Sequence, residues 1–261
     1  MLLFMAYLVL GAIAGLIAGV FGLGGGIIIV PTLIFTFSYL NFPPEVLTHL
    51  AVGTSLSTII FTSLSAIFIH HKKFAVNWAL AFKLTLGLLF GAFIGAYFAD
   101  DFSGELLQRI FALYSLIVAL QMWFLWQPKA TFILPKKAGL SLIGTFIGFI
   151  SGLFGIAGGM VTVPILTLYR VNITQAIATA AVSGFPVALS GTIGYIMMGM
   201  DNPNLPEYSL GYIYLPATFG IILSSTVFAK IGVSLAHTLP PEKLKKTFAI
   251  VLLLVAIKLF L

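Results

Sequence analysis

The sequence has no cysteine, and only 8% of its 261 residues are charged. The first absence excludes disulfides, thiolate nucleophiles and cysteine-held metal. The second excludes a water-facing surface, because a soluble domain carries about 25% charged residues. Acids are the scarcer sign, seven Asp and Glu against 13 Lys and Arg, and none lies deep in a hydrophobic run. His49 and His237 have no partner at metal-ligand spacing, so neither metal nor cofactor is expected. What the chain has instead is apolar length. Hydrophobic residues make up 60%, and runs of roughly 17 to 25 residues, long enough to span a bilayer, recur from end to end. Met1–Leu10 lacks a basic n-region and a small-residue cleavage site, so the first run is expected to stay in the mature protein.

The sequence repeats itself. Residues 15–31 (GLIAGVFGLGGGIIIVP) and 148–164 (GFISGLFGIAGGMVTVP) share nine identities at an offset of 133, five of them glycine and one proline. Weaker matches follow: Ala51, Thr54 and Ser65 align with Ala176, Thr179 and Ser190, and Glu105, Leu107, Phe111 and Ala112 with Glu242, Leu244, Phe248 and Ala249. The chain therefore divides into a first repeat (1–127), a basic cytoplasmic linker (128–137) and a second repeat (138–261).

Cutting at charges and Gly/Pro clusters gives ten segments, at 3–21, 27–40, 46–69, 76–99, 103–126, 138–154, 160–169, 175–199, 209–229 and 242–261. Spanning segments must be helical, since an open strand leaves its backbone unsatisfied in lipid. Five per copy is odd, so the second copy enters from the opposite side. The expected fold is an all-α membrane protein, an inverted-topology tandem repeat of 5+5 helical segments. Segments 1/2 and 6/7 are Gly-broken helical hairpins.

Charge supports that threading. It gathers Lys72, Lys73, Lys83, Lys129, Lys136, Lys137, Arg170, Lys230, Lys243, Lys245 and Lys246 near one face with Glu242. The other face receives Glu45, Asp100, Asp101, Glu105, Asp201 and Glu207, with Arg109 and Lys258. The basic side is predicted to be cytoplasmic, with both termini outside and the protein in the plasma (inner) membrane. Basic residues spread this way mark topology, and no nucleic-acid partner is expected. The oligomeric state leaves no trace in the sequence.

Segment seven is short. The eleven residue steps from Gly159 to Arg170 reach about 16 Å at ~1.5 Å per residue, half of a hydrocarbon core of about 30 Å. That places Gly155–Gly159 near the bilayer midplane, and by symmetry Gly22–Gly26. Irregular backbone is tolerated there only in a protein interior or a wet cavity, and paired interrupted segments point to a transporter's binding site. A half-helix starting there presents free N–H groups and a positive dipole end, which favour an anion. Close packing is the competing use of these glycines, and Gly11/Gly15/Gly19 and Gly144/Gly148/Gly152 read as packing ridges.

The candidate substrate-binding residues are Gly22, Gly24, Gly25, Gly26, Gly155, Gly158 and Gly159, with the hydroxyls of Thr54, Ser55, Thr179 and Ser183. Lys83 joins them as an intramembrane charge, with snorkelling to the interface as its alternative. His70 and His71 beside Lys72 and Lys73 read as an interfacial anchor. The pairs Glu105/Arg109 and Glu242/Lys246 read as helix-end ion pairs.

With its GxxxGxFGxGGG and GxxxGxFGxxGG runs, each leading to a proline, and AVGTSL at 51–56, the sequence resembles the sulfite exporter TauE/SafE family. The resemblance implies an inner-membrane permease for sulfite, sulfonates or related sulfur-containing anions. ATAAVS at 178–183 departs from the family pattern, standing where a Thr-Ser pair is usual. The chemistry expected is movement of a small anion, without catalysis. The two alternatives are a structural or chaperone-like membrane subunit, in which the glycine loops only bend helices, and an intramembrane enzyme. The enzyme reading lacks both a GxSG and a pair of deep aspartates.

Overall fold

A computed structural model describes residues 2–21, 25–72, 76–124, 132–236 and 241–260. Among them the chain forms ten helices: α1 (Leu2–Phe21), α2 (Gly26–Tyr39), α3 (Pro44–Lys72), α4 (Trp78–Asp100), α5 (Gly104–Trp123), α6 (Lys137–Phe154), α7 (Gly159–Leu168), α8 (Ile173–Gly199), α9 (Leu215–Ala236) and α10 (Pro241–Phe260). Six of these contain a stretch long and apolar enough to cross a membrane, and α2 and α7 are shorter apolar helices. Gly22, Gly24, residues 128–131 of the linker, Lys73 and His237 lie outside the described residues, as do the side chains of His70 and Glu242.

Polar caps start several helices conventionally. Asn77 accepts from the Leu80 N–H at 3.1 Å, Ser103 from Leu106 at 3.2 Å and Asn172 from Thr174 at 2.9 Å. Such caps satisfy N–H groups that have no acceptor within the helix. Glu105 and Arg109 form the expected i,i+4 ion pair on exposed α5. His71 packs edge-on against Trp78 with ring centroids 5.6 Å apart, and the Lys72 ammonium lies over the Phe68 ring.

The long helices α3 and α8 pack on each other at the centre. Around them α1 pairs with α9, α4 with α6, and α5 with α10. Glycine sets two of these pairings. On α4, a Cβ at Gly87, Gly91 or Gly95 would fall within 2.4 Å of a carbonyl oxygen of α6, from Ser141, Thr145 and Phe149 in turn. On α6, Gly144, Gly148 and Gly152 press equally closely on the carbonyls of Leu84, Leu88 and Ala92. Gly11 and Gly15 of α1 do the same against Ile221 and Ser225 of α9. Lipid offers no hydrophobic drive between helices, so close van der Waals contact of small residues holds them. The outer faces stay apolar and exposed, for example Phe82, Leu86 and Phe90 on α4.

One segment needs correction at both ends. Segment nine was expected at 209–229, but α9 runs from Leu215 to Ala236. The apolar run Ser209–Tyr214 is an ordered loop, with Tyr208 and Gly211 both at positive φ (66° and 53°). Gly211 lies against the Ile196 backbone of α8, where a Cβ would be 2.3 Å from its carbonyl oxygen. The loop is held by polar contacts that hydropathy does not register. The Tyr212 hydroxyl donates to Asp100 Oδ1 at 2.8 Å and accepts from Asn202 Nδ2 at 3.0 Å. The Tyr212 ring stacks on buried His49, whose Nε2 donates to the Ala99 carbonyl at 2.8 Å. Burial, reinforced by the Asp100 carboxylate, pushes the Tyr212 hydroxyl from its ordinary 10.0 up to about 12. Folding therefore favours its protonated form. That contribution is complete below about pH 10 and is lost as pH rises towards 12. An alkaline melting series should show Tyr212→Phe losing less stability over this interval than the parent; equal slopes would contradict the assignment.

Candidate functional site

The short helices α2 and α7 share a frame at both ends. Gly25, at φ 76° and ψ −14°, is the N-cap of α2, and Gly158, at φ 73° and ψ −10°, is the N-cap of α7. Left-handed backbone of this kind is cheap only for glycine. Both helices then stop in the same way, on left-handed Asn41 (φ 55°) and Arg170 (φ 61°). Phe42 N–H reaches back to the Phe37 carbonyl and Val171 N–H to that of Leu166, each at 3.1 Å, the Schellman pattern. Of the two, α7 is the shorter at 10 residues against 14 for α2.

These two helix starts differ from those of α4, α5 and α8, for neither has a side-chain cap. The backbone places the N–H groups of Gly26 and Ile27, and of Gly159 and Met160, in the first turn, where a helix supplies no acceptor. All four residues except Met160 are buried, as are Gly25 and Gly155–Gly158. Uncapped helix N-termini inside a protein leave polar groups and a positive dipole end available to an anion.

The structure brings several sequence candidates together. Gly26 abuts the second loop so closely that a Cβ there would lie 2.3 Å from the Gly155 carbonyl oxygen. That carbonyl accepts a 2.8 Å hydrogen bond from Ser55 Oγ of α3. Gly155 has Val30 and Val52 against it, and Gly184 of α8 faces Ala157. Gly26 of the first run and Gly155 of the second therefore meet beside α3, with Ala157 against α8. Gly159 follows as the first residue of α7. On α8, Ser183 Oγ donates to the Thr179 carbonyl at 3.0 Å, and the buried Thr179 Oγ1 has no partner among the described residues.

Two candidates sit elsewhere. Thr54 aligns with Thr179 in the repeat, yet its Oγ1 accepts a 2.9 Å bond from the Tyr214 N–H at the start of α9. Thr54→Val should therefore strand a buried donor and lower stability by about 1–3 kcal/mol. Thr54→Ser should not, which melting temperatures in detergent would reveal. Lys83 is exposed on α4 beside the exposed Phe82, and no contact joins it to the glycine loops among the described residues.

Two residues near Gly158 escaped the sequence reading. A Cβ at Gly158 would stand 3.0 Å from Ser151 Oγ and 3.7 Å from Thr162 Oγ1. Ser151 Oγ donates to the Ile147 carbonyl at 2.6 Å, whereas the fully buried Thr162 Oγ1 has no partner among the described residues. Their signal lay in the aligned windows. Ala18/Ser151 and Ile29/Thr162 are the two places where one copy has an apolar residue and the other a hydroxyl.

The profile of the family described as "Sulfite exporter TauE/SafE" matches residues 7–259. A "Probable membrane transporter protein" of Haemophilus influenzae is 39% identical over 257 residues, covering 97% of each chain. A protein of the same description from Methanocaldococcus jannaschii is 29% identical over 94% of this chain and 91% of its own. YunE of Bacillus subtilis, likewise a "Probable membrane transporter protein", is 30% identical over 76% and 80%. No solved structure matches.

Proposed function

This chain belongs to the sulfite exporter TauE/SafE family of membrane transporters, and on that premise we propose that it carries a small sulfur-containing oxyanion through a midplane site between two inverted repeats. The observation that carries the reading is the matched pair of left-handed glycines, Gly25 and Gly158, each opening an uncapped helix inside the protein. Gly25, Gly26, Gly155, Gly158 and Gly159 would let backbone N–H groups approach the anion's oxygens, with Ser55, Thr179 and Ser183 alongside. The family and its relatives are named as transporters, which sets aside the enzyme reading.

The repeat architecture (1–127 and 138–261, joined by a basic linker) has support in the helix pairing. Advancing each helix by five turns α1–α9 into α6–α4, and both pairs are close contacts. An odd number of helices per copy then inverts the second copy in the bilayer. In this reading the basic loops face the cytoplasm and both termini face outward. The inside-negative potential contributes about 2.3 kcal/mol per charge per 100 mV to outward movement of an anion, enough to drive export without a carboxylate proton relay.

The test is sulfite flux in proteoliposomes of the purified protein, with an imposed potential and with taurine, sulfoacetate, thiosulfate and sulfate as competitors. Saturable flux that responds to potential and is blocked by a competitor is expected. No flux of any of these anions by demonstrably folded protein would defeat the proposal. Flux abolished by collapsing a pH gradient alone would defeat the potential-driven account.

A further inference from the structure

We propose that the groove between α6 and α7 binds one anionic phospholipid, with an acyl chain along its apolar wall and the phosphate held by Lys136, Lys137 and Arg170. The site is separate from the glycine loops and stands or falls without regard to what the protein carries.

Each of the two helices has its main partner elsewhere, α6 along α4 and α7 along α8, and an open groove remains between them. It is lined by Leu142 and Phe146 of α6, by Ile165, Leu168 and Tyr169 at the end of α7, and by Phe132 ahead of α6. Leu142 and Phe146 are 72% and 56% exposed. The Phe132 N–H donates to the Leu168 carbonyl at 3.1 Å, and its ring lies 5.9 Å from that of Tyr169. This tie brings the stretch leading into α6 to the end of α7. Lys136 and Lys137, at the start of α6, therefore share one end of the groove with Arg170, which follows Tyr169. All three cations are exposed, and none forms an ion pair among the described residues. Phe146 lies nine residues beyond Lys137, about 14 Å along the helix. The apolar wall thus extends from the charged end through about half of a hydrocarbon core.

Arg170 is the sharper observation. It adopts φ 61°, a left-handed conformation that is uncommon for residues with a Cβ and least so for asparagine and its like. The like-shaped end of α2 has Asn41 there, at φ 55°, and residues 1–71 contain no Lys or Arg. A cation held where asparagine fits better indicates a use for its charge. A free anion would leave the apolar wall unused. A second copy packed here about a two-fold axis would set like charges against one another. A negatively charged amphiphile uses both parts of the groove, and the bilayer supplies one.

The experiment is native mass spectrometry and thermal unfolding of the full chain in a delipidating detergent. The titrants are phosphatidylglycerol, phosphatidylcholine with the same acyl chains, and glycerol 3-phosphate as a headgroup without chains. One cation beside an anionic headgroup contributes about fivefold in affinity. The parent should therefore prefer phosphatidylglycerol at least tenfold, and salt should weaken the preference. Arg170→Asn should lose about fivefold of it, while its lipid-free melting temperature stays level or rises. Adding Lys136→Gln and Lys137→Gln should abolish it. Leu142→Trp, which fills the groove, should weaken both phospholipids. Equal binding of the two phospholipids by the parent, or a preference that survives in the triple variant, overturns the proposal. So does a thermal shift with glycerol 3-phosphate as large as that with phosphatidylglycerol, which would make this a site for free anions. A dimer that persists in phosphatidylglycerol and is broken by Leu142→Trp would give the groove to a second copy instead.

Discussion

Gly158→Leu is expected to abolish anion flux, to below a tenth of the parent, in protein that still inserts and folds. Gly25→Leu should behave alike in transport. Both positions have φ near +75° (76° and 73°), where a side chain costs roughly 1–2 kcal/mol. Proteins of this size tolerate such a loss from a total of about 5–15 kcal/mol. The surroundings separate the two variants. A Cβ at Gly158 meets a serine hydroxyl and the flank of Ile147, groups that can move, whereas one at Gly25 meets the Ala14 backbone carbonyl at 2.9 Å. Gly158→Leu is therefore the cleaner probe, and its bulk would stand over the N–H groups of Gly159 and Met160. Flux, melting temperature and liposome incorporation should be read on one preparation. A variant that transports normally would remove Gly158 from the site.

The opposite outcome is expected at the helix ridges. Gly91→Leu or Gly148→Leu should cost more than about 4 kcal/mol, the range in which single substitutions are exceptional and diagnostic, and folded protein should be largely lost. Here the added atom would fall 2.1 Å from the Thr145 carbonyl oxygen or 2.4 Å from that of Leu88. Those oxygens belong to helix backbone, which cannot rotate aside. Relief requires α4 and α6 to separate, and separation undoes the close contact along both ridges. Phe90→Leu, one position away on the exposed face, should change little. Yield and monodispersity in mild detergent distinguish the variants, and a well-folded Gly91→Leu protein would show that the ridge is not what holds the pair.

Glycine explains much of what could be read from the chain. Charges and Gly/Pro clusters mark nearly every helix end, so the ten segments were legible, and the shortness of α7 followed from Arg170 closing it. The start of α9 was not, because Ser209–Tyr214 is as apolar as a helix and is bent by Gly211 and held by Tyr212. At the candidate site, the duplicated glycines pointed to the left-handed Gly25 and Gly158, since a repeated left-handed position needs the same residue twice. The hydroxyls were harder. Thr54 and Thr179 look equivalent in sequence, but Thr54 is engaged by Tyr214, a backbone group 160 residues away. Lys83 was ambiguous because α4 is apolar all round, and no polar stripe marks which face meets the protein.

The pairing of α1 with α9 and of α4 with α6 also governs how such a chain can come into being. When residues 1–124 have left the ribosome, the glycine faces of α1 and α4 are built but the helices that fit them have not been made. Closure must wait for the second half. On the proposed inverted repeat, a single five-helix gene product would have met the same shortage, and a second copy of itself, lying head-down beside it, could have remedied it. Gene fusion would then have turned an encounter between two molecules into a step within one. It would also have freed the halves to diverge, as the aligned pair Ala18 and Ser151 illustrates.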